Sequence, residues 1–503
     1  MAMNGFVRKF KPLEILTEEQ VRAIHLATLD VLATTGVRME HDGGLKLLEK
    51  NGCKVDWEDK RARMPAGLVE DCLAQVPSQF RLRARNPKND LLMGGDRVYF
   101  QTFAGMQSID LDTWEPRPPT RRENYEAVLV QDACPNLHFL STYTPWFGWQ
   151  GLPPVMAIPE SDASRLRYST KAIETGSSYD SEVFAIMLAQ AVGADVLGYM
   201  GGSPPLTWYE NAVEACFRLV GAGYPLQVIS GNTMGANGPA SIAGSTVTNN
   251  AELMSGIVLA QLIRPGTPMM VMDFCFPQNM RGGGPLFGDI GAFLHNVVFN
   301  QVWRSYGIPT KTPPAGASNS KQIDYQCGYE KAMGALLNAL SGTNVIPLQG
   351  GLNGELTRHP LITILDDDMA AMIGRFLDGV EVTDDSIALD LINQVGPVPG
   401  FYLDKAHTRT WWRKEQVMTT VADRLTYPEW MRTGKKSALD YAKARMEQIV
   451  GTHKPEPLTP QQEQAVEDVL KEARAYYRKK GLIGDEDWQA YLEQLESAGY
   501  PYA

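Results

Sequence analysis

The stretch GIPTKTPPAGASNSKQIDYQCGYEKAMGALLNALSGTNVIPL, residues 307–348, contains an apolar run, a polar loop, an amphipathic helix and a second apolar run. This order is typical of a strand–loop–helix–strand unit. A connection between a strand and a helix needs only a few turn residues. This one collects polar side chains between Asn319 and Gln326, so we expect the loop to contact a ligand.

The same unit recurs through the middle of the chain. The apolar runs are residues 98–103, 137–143, 169–173, 196–200, 226–230, 269–274, 308–312 and 344–348. The helical patterns that follow them lie near residues 120–133, 159–167, 180–192, 208–222, 240–262, 289–306, 324–341 and 366–378. Eight such units in roughly 290 residues predict an α/β fold, a (β/α)8 TIM barrel. An open doubly wound sheet is the alternative.

Two further regions flank the predicted barrel. We predict an N-terminal cap over residues 1–92, the barrel over 93–380 and a C-terminal helical extension over 381–503. Helices in the cap are expected at residues 17–36, 43–51 and 66–75, and those in the extension at 383–395, 436–449, 459–480 and 485–497. Residues 395–412 are expected to be mostly loop.

The composition excludes several classes of protein. The 503 residues carry a net charge of -11, which argues against a nucleic-acid partner because phosphates need clustered basic residues. No run of about 18 apolar residues is present, so we expect no membrane span. The six cysteines are scattered without a C-x-x-C pair, which favours reduced thiols and a cytoplasmic location.

Common catalytic and cofactor motifs are also absent from the sequence. It contains no G-x-x-x-x-G-K-[ST] motif, and no G-x-G-x-x-G follows a strand with an acidic residue in place. The seven histidines form no i, i+4 pair and no H-E-x-x-H motif. We therefore predict no metal site, although scattered residues could still form a zinc site.

Aromatic residues cluster where a ligand site is expected. In a TIM barrel the site lies at the carboxyl ends of the strands. Six rings occur near the first two of these ends: Tyr99, Phe100, Phe103, Trp146, Phe147 and Trp149. Such rings can enclose a quaternary ammonium ion. Core packing is the alternative, and of Tyr99 and Phe100 only one can face inward because strand side chains alternate.

Several blocks of sequence resemble the trimethylamine methyltransferase family. The blocks are VDWEDKRARMPAGLVEDCLAQVPSQFRLRARNP (55–87), the segment from GSPPLTWYE to LIRPGTP (202–268), GASNSKQIDYQCGYEKAMGALLNALSGTNVI (316–346), DDDMAAMIGRFLDGVEV (366–382) and HTRTWW (407–412). The resemblance implies a (β/α)8 barrel that moves a methyl group from a methylated amine to Co(I). It also implies that the cobalamin is carried by a separate corrinoid protein, and that the chain forms a homo-oligomer.

One departure from the family pattern narrows the range of expected substrates. Founding members carry pyrrolysine in the loop equivalent to Ser320–Ile323, whereas this chain has standard amino acids there. This pattern resembles the branch that includes glycine betaine methyltransferases. Glycine betaine is therefore the expected substrate, and proline betaine, carnitine and choline are alternatives. A non-catalytic betaine-binding protein and an unrelated barrel lyase or hydrolase are competing interpretations.

The resemblance also suggests site residues. It identifies the 316–326 loop as the reaction-site loop, with Lys321, Gln322 and Gln326 as candidate catalytic residues and Asn319 as a substrate contact. Arg281, Lys321, Arg358 and His359 are candidate donors to a substrate carboxylate, since Arg can pair with it through two hydrogen bonds. Solvated loop charges, or a structural histidine at His359, are the alternatives.

Overall fold

The protein, described here from a computed structural model over residues 5–103, 105–141 and 148–501, is built around eight parallel strands. The strands are β1 (Arg97–Thr102), β2 (Phe139–Leu140), β3 (Ala172–Ile173), β4 (Gly198–Gly201), β5 (Leu226–Ser230), β6 (Met269–Asp273), β7 (Thr310–Lys311) and β8 (Val345–Gln349). Each pairs with its neighbours in chain order, and β8 pairs with β1. A parallel bridge from Glu174 to Leu197 joins β3 to β4. The sheet is closed, so the barrel prediction is confirmed and the open-sheet alternative is wrong.

A helix follows every strand. These helices are α1 (Arg121–Ala133), α2 (Ala157–Tyr168), α3 (Ser181–Val192), α4 (Glu210–Gly221), α5 (Ile242–Ile263), α6 (Ile290–Ser305), α7 (Tyr325–Ser341) and α8 (Pro360–Leu377). The signals that start them are local. For α1, the Thr120 side chain accepts from the Glu123 backbone N–H while the Glu123 side chain accepts from the Thr120 N–H, which satisfies two otherwise unpaired donors.

The N-terminal region lies against the barrel. Its helices are Glu18–Thr34, Asp42–Lys50 and Ala66–Gln75, and its strands are Phe6–Val7, Val37–Met39, Lys54–Asp56, Arg61–Arg63, Gln79–Leu82 and Leu91–Gly94. The first and third helices pack on α5. The hairpin formed by the last two strands covers the amino-terminal end of the barrel, where its apolar side chains join those inside. That end is therefore filled with protein.

The C-terminal region is helical, as predicted. Its helices are Asp384–Ile387, Leu389–Val395, Ala406–Glu415, Tyr427–Arg432, Ala438–Thr452, Pro460–Lys479 and Asp485–Leu495. Ala438–Thr452 packs on α1 and α8, and Pro460–Lys479 packs on α2 and α3. The loop prediction for 395–412 is wrong from Ala406 onward. The boundaries at 92/93 and 380/381 stay predictions; β1 begins at Arg97 and α8 ends at Leu377.

The loops at the carboxyl ends of the barrel strands contain short strands of their own. They are Gln107–Ile109, Pro116–Arg117, Thr207–Trp208, Thr233–Met234, Phe276–Pro277, Gly351–Leu352 and Thr357–Arg358, and one-turn helices occur at Pro87–Asn89, Pro154–Met156 and Pro313–Gly316. All six cysteines are buried free thiols. Among the described residues, no helix combines the length and the apolar character that crossing a membrane requires.

Candidate active site

The interior of the barrel is apolar at its amino-terminal end. Tyr99, Phe139, Leu197, Met270 and Val345 point inward from five strands and form one buried cluster with the hairpin beneath them. The strands are parallel, so their carboxyl ends all meet at the opposite end. A ligand site of this barrel must therefore lie at that second end, which we call the mouth.

A buried polar layer lies above the apolar floor. Lys311 Nζ donates to Glu174 Oε2 at 2.5 Å and to Gln227 Oε1 at 3.2 Å. Gln227 Nε2 donates to Glu174 Oε2 at 2.8 Å. Burial lowers the pKa of Lys311, and the adjacent Glu174 carboxylate opposes that shift. The pair contributes no net charge to a ligand bound above it.

Gln101 adds unused hydrogen-bonding capacity to the same interior. It lies two residues after Tyr99 on β1, so it also faces inward, and it is completely buried. Within the described ranges, neither its amide oxygen nor its amide nitrogen has a hydrogen-bond partner. Buried amides are normally paired, so this side chain is available to ordered water or to the polar part of a ligand.

Aromatic rings form one wall of the mouth. The Phe274 ring lies 5.3 Å from Phe276 and 6.5 Å from Phe287, and the last two are 4.8 Å apart. Phe103, which follows β1, belongs to the same cluster. Only Phe274 among these four is partly exposed, whereas the others are buried. It is therefore the ring of this cluster with a surface that a ligand can reach.

Two glycines in the eighth loop allow the rings to pack so closely. A Cβ atom on Gly351 would lie 2.8 Å from Phe103 Cγ, and one on Gly354 would lie 2.2 Å from Phe287 Cε2. Gly354 also has a φ of +65°, a conformation that L side chains rarely adopt. The loop after β8 thus needs glycine at both positions to cover the aromatic wall.

Tyr199 and Glu355 contribute a phenol and a carboxyl group to the mouth. Tyr199 of β4 lies two residues after the inward-facing Leu197, so it faces the same side of the sheet, and it remains partly exposed. Burial raises the pKa of Tyr199, and the nearby Glu355 and Glu174 carboxyl groups raise it further. Burial also raises the pKa of Glu355 to about 7. The sequence interpretation missed both residues, although Glu355 is the sole acidic residue of QGGLNGELTRHP, residues 349–360.

The loop of residues 316–326 forms the rim beside this wall. Glu330 of α7 holds it by accepting from Ser318 Oγ at 2.7 Å, from the Asn319 backbone N–H at 2.8 Å and from Gln326 Nε2 at 2.8 Å. A cleft of about 420 Å³ opens between the loops after β6, β7 and β8. Its lining includes Asn319, Lys321 and Gln326. The structure thus brings together three of the residues that the sequence singled out in this loop.

The contacts of these residues differ in kind. Asn319 bridges two loops, because its Oδ1 accepts from the Gly288 N–H at 3.1 Å and its Nδ2 donates to the Pro285 carbonyl at 3.0 Å. Lys321 is exposed and donates from Nζ to the Asn319 carbonyl at 2.7 Å. Gln322 is exposed and is not among the residues lining the cleft. Of the three, Asn319 is the one held in place by neighbouring loops.

Tyr99 and Phe100 lie away from the mouth. Tyr99 is part of the floor, where its hydroxyl donates to the Leu92 carbonyl at 3.1 Å. Phe100 points outward and packs with Ile373 of α8. Both positions precede the end of β1 and alternate across it, which explains why their rings are buried in packing. Trp146 and Phe147 fall outside the described residues.

The candidate carboxylate donors are spread over the rim. Arg281 is exposed in a turn where Asn279 Oδ1 accepts from its backbone N–H at 3.0 Å. Arg358 is fully buried against Gly105, where an added Cβ atom would lie 2.6 Å from Arg358 Cγ. His359 caps α8, because its Nδ1 accepts from the Leu361 N–H at 3.0 Å. Burial lowers the pKa of His359 to about 4, so this residue is neutral near pH 7.

Asp273, Cys275 and His295 form the one group of three potential metal ligands found among the described residues. Asp273 points away from the barrel interior. Its carboxylate accepts from Asn249 Nδ2 at 3.1 Å and from Asn296 Nδ2 at 2.7 Å, and lies 2.9 Å from His295 Nδ1. Amide donors occupy the carboxylate oxygens that a metal would need, so these contacts tie β6 to α5 and α6 instead.

The sequence of this chain matches a known protein family over most of its length. The trimethylamine methyltransferase (MTTB) family matches residues 1–146 and 179–476. This chain belongs to that family. A glycine betaine methyltransferase of Desulfitobacterium hafniense is 32% identical over 463 residues, which cover 89% of this chain and 94% of that protein. A trimethylamine methyltransferase MttB of the same species is 30% identical over 482 residues, covering 92% and 94%.

A solved structure agrees with the architecture. The monomethylamine methyltransferase MtmB of Methanosarcina barkeri aligns with a TM-score of 0.53 at 9% identity, over 92% of this chain and 88% of that chain. An identity this low supports the fold alone. Family membership makes the chain a methyltransferase and contradicts the interpretation as an unrelated barrel lyase or hydrolase.

Proposed function

We propose that this enzyme transfers a methyl group from a quaternary amine to the Co(I) of a corrinoid carried by a separate protein. Glycine betaine is the proposed substrate, and dimethylglycine and methyl-Co(III) are the products. Two findings support this choice: the relative named glycine betaine methyltransferase, and the standard amino acids of Ser320–Ile323 where founding family members carry pyrrolysine. Proline betaine, carnitine and choline are the alternative substrates.

The observation that carries the proposal is the pair of accessible rings at the mouth. Phe274, directly after β6, and Tyr199, on β4, are partly exposed above a Lys311–Glu174 pair whose charges cancel. Each aromatic face can contribute about 0.5–2 kcal/mol to binding of a cation. This environment favours a permanently charged, poorly hydrated methylammonium group over a small anion.

Methyl transfer from a quaternary amine does not need a general acid or base. A quaternary nitrogen is positively charged before the reaction, so its leaving group is a neutral tertiary amine that needs no proton. The corrinoid of the partner supplies the cobalt nucleophile. The work of this chain is then to orient one N-methyl group outward and to exclude water, and such positioning can contribute up to about 7–11 kcal/mol.

The rim suits a docking protein. Met280 is 82% exposed on the loop after β6, and Tyr325 is 87% exposed at the start of α7. Leu356 is also exposed, and Arg281 and Lys321 add positive charge nearby. Exposed apolar side chains beside a cleft are typical of interaction surfaces. We place the reaction in the cytoplasm, where six free thiols suit a reducing environment.

An anaerobic assay tests the proposal. The enzyme is incubated with glycine betaine and with its cognate corrinoid protein reduced to Co(I). We expect the Co(I) absorbance to fall while that of methyl-Co(III) rises, with one dimethylglycine formed per methyl group transferred. Turnover with choline, carnitine or proline betaine but not with glycine betaine would show that the enzyme acts on that alternative substrate. Betaine binding without any methyl-Co(III) would support a non-catalytic binding protein and contradict the proposal.

A further inference from the structure

Glu355 lies in a short hairpin whose backbone is fixed by two neighbouring loops. The hairpin pairs Gly351–Leu352 with Thr357–Arg358. On one side, the Gly354 N–H donates to the Ser318 carbonyl at 2.6 Å. On the other, the Met106 N–H donates to the Glu355 carbonyl at 2.9 Å. The backbone position of Glu355 is therefore set before any ligand binds.

The hairpin that carries Glu355 lies at the mouth of the barrel. It belongs to the loop after β8, yet the Glu355 carboxyl group lies close enough to Tyr199 on β4 to affect that phenol. Strands β8 and β4 are on opposite sides of the closed sheet. The preceding residue, Gly354, lies so close to the aromatic wall that an added Cβ atom would be 2.2 Å from Phe287 Cε2. The loop that carries Glu355 therefore lies over the mouth, where a substrate would lie.

Among the residues that the structure describes, the Glu355 carboxyl group has no partner for its charge. No hydrogen bond or ion pair to it occurs among residues 5–103, 105–141 and 148–501. Among the described residues, the Tyr199 phenol on β4 is the titratable group that this carboxyl group acts on, and Glu174 of the Lys311 pair acts on the same phenol. Loops one and seven present the uncharged residues Met106, Ser318 and Ser320. An unpaired buried carboxylate is costly, and burial accordingly raises its pKa to about 7.

We propose that Glu355 is the counter-ion for the quaternary nitrogen of the substrate, which binds between its carboxylate and the Tyr199 and Phe274 rings. This inference rests on the proposed function and adds to it a residue that selects substrates by their positive charge. A permanent cation would supply the partner that the carboxylate lacks. A neutral molecule of the same shape could use the rings but not the carboxylate, so Glu355 makes the site selective for charge.

Binding of the cation is then linked to proton release. The ionised carboxylate binds the cation better than the neutral acid does, so the bound cation lowers the pKa of Glu355 below its free value of about 7. Affinity is full above that pH and falls as the pH drops through the free pKa. Each unit by which the cation lowers the pKa corresponds to about a tenfold difference in affinity between high and low pH.

Calorimetric titration of the full chain without a corrinoid tests the inference. The probes are two matched pairs: choline with its neutral carbon isostere 3,3-dimethylbutan-1-ol, and glycine betaine with 3,3-dimethylbutanoate. For the wild type at pH 8.5 we expect each cation to bind about tenfold or more tightly than its isostere. The Glu355→Gln variant should lose most of that preference, while its affinity for the isosteres changes less than about twofold.

Glu252 offers a matched control. Burial raises its pKa to about 7 as well, but it lies on α5, where it accepts from the Leu206 N–H at 2.6 Å and from Ser230. Glu252→Gln should keep the preference for cations and its decline below pH 7. Equal cation preference in wild type and Glu355→Gln would overturn the inference. Loss of the preference in Glu252→Gln but not in Glu355→Gln would also overturn it, and so would a wild type that binds neither choline nor glycine betaine.

The two proposals fail separately. If Glu355→Gln loses charge selectivity but the wild type never methylates Co(I), Glu355 is still the counter-ion and the proposed reaction is wrong. If methyl transfer occurs and Glu355→Gln still prefers the cations, the reaction stands and the counter-ion assignment is wrong. Thermal melts of each variant show whether a lost signal reflects unfolding instead.

Discussion

Lys311 Nζ lies 2.5 Å from Glu174 Oε2 in the interior of the barrel, although 137 residues separate them in the chain. The pair joins β7 to the end of β3 across the interior, and Gln227 of β5 completes it. Two charges buried this deeply stabilise the fold only while both are present. The ion pair therefore keeps the base of the mouth polar without giving it a net charge.

Lys311→Met should strongly destabilise the protein. It would leave Glu174 buried and unpaired, and breaking such a pair costs about 3–5 kcal/mol. Urea denaturation measures the free energy of unfolding. The double variant Lys311→Met with Glu174→Gln should recover most of the loss, because no uncompensated charge remains. A single variant within about 1 kcal/mol of wild type would show that water reaches Glu174 and that this layer is not sealed.

Phe274→Ala should weaken glycine betaine binding without a matching loss of stability. Removing one aromatic face from a cation site costs about 0.5–2 kcal/mol, or roughly twofold to thirtyfold in affinity. Phe100→Ala is the control, since Phe100 is fully buried against α8 and its truncation should cost about 3–5 kcal/mol of folding free energy. Calorimetry that finds weaker binding for Phe100→Ala than for Phe274→Ala would contradict the assignment of the aromatic wall.

Stability should fall in mild acid partly because of His359. Its folded pKa of about 4 lies below the usual histidine value of 6.5, so the unfolded chain takes up the proton first. The folded state therefore loses stability as the pH drops from about 6.5 toward 4 and is unaffected above that range. His359→Asn retains a capping acceptor but cannot titrate. Denaturation at pH 7 and pH 5 should show a smaller acid loss for the variant; an identical loss would contradict this account.

Self-association of the chain stays a prediction, and the C-terminal region offers a test of it. Val380, Val398 and Leu403 are 80%, 92% and 82% exposed, which is unusual for apolar residues outside an interface. Analytical ultracentrifugation should find an oligomer that Val398→Lys together with Leu403→Lys converts toward monomer. A wild-type monomer at micromolar concentration, or an oligomer that the double variant leaves intact, would show that these residues are not the interface.

The barrel was predictable because its signals are local. Each strand is a short apolar run, as the predicted Val98–Phe103 against the observed Arg97–Thr102 illustrates. Five of the eight barrel helices begin at a residue whose side chain caps the helix. The start of α8 was misplaced, at Asp366 instead of Pro360. The acidic run there looks like a helix start, but Asp366 pairs with Lys331 at 2.6 Å and Asp368 accepts backbone N–H groups near Thr420. Such distant partners leave no local trace in the sequence.

The mouth was harder to predict for the same reason. Phe103 was singled out and does join the aromatic cluster, and Asn319, Lys321 and Gln326 do share a cleft. Tyr199 and Glu355 were missed, because they are far apart in the chain and influence each other only once the barrel closes and β4 faces the loop after β8. Predicting which strand residues face inward at the mouth requires the register of the whole sheet.

The central claim is tested most directly by following the transferred methyl group itself. Glycine betaine with 13C in its N-methyl groups is incubated anaerobically with the enzyme and the Co(I) form of its corrinoid partner, and the mixture is examined by NMR. We predict a new 13C signal for a methyl group bonded to cobalt, together with labelled dimethylglycine, and neither signal when the enzyme is omitted. If the label stays entirely in glycine betaine, and choline, carnitine and proline betaine carrying the same label give no methyl-cobalt signal either, the proposed function is wrong.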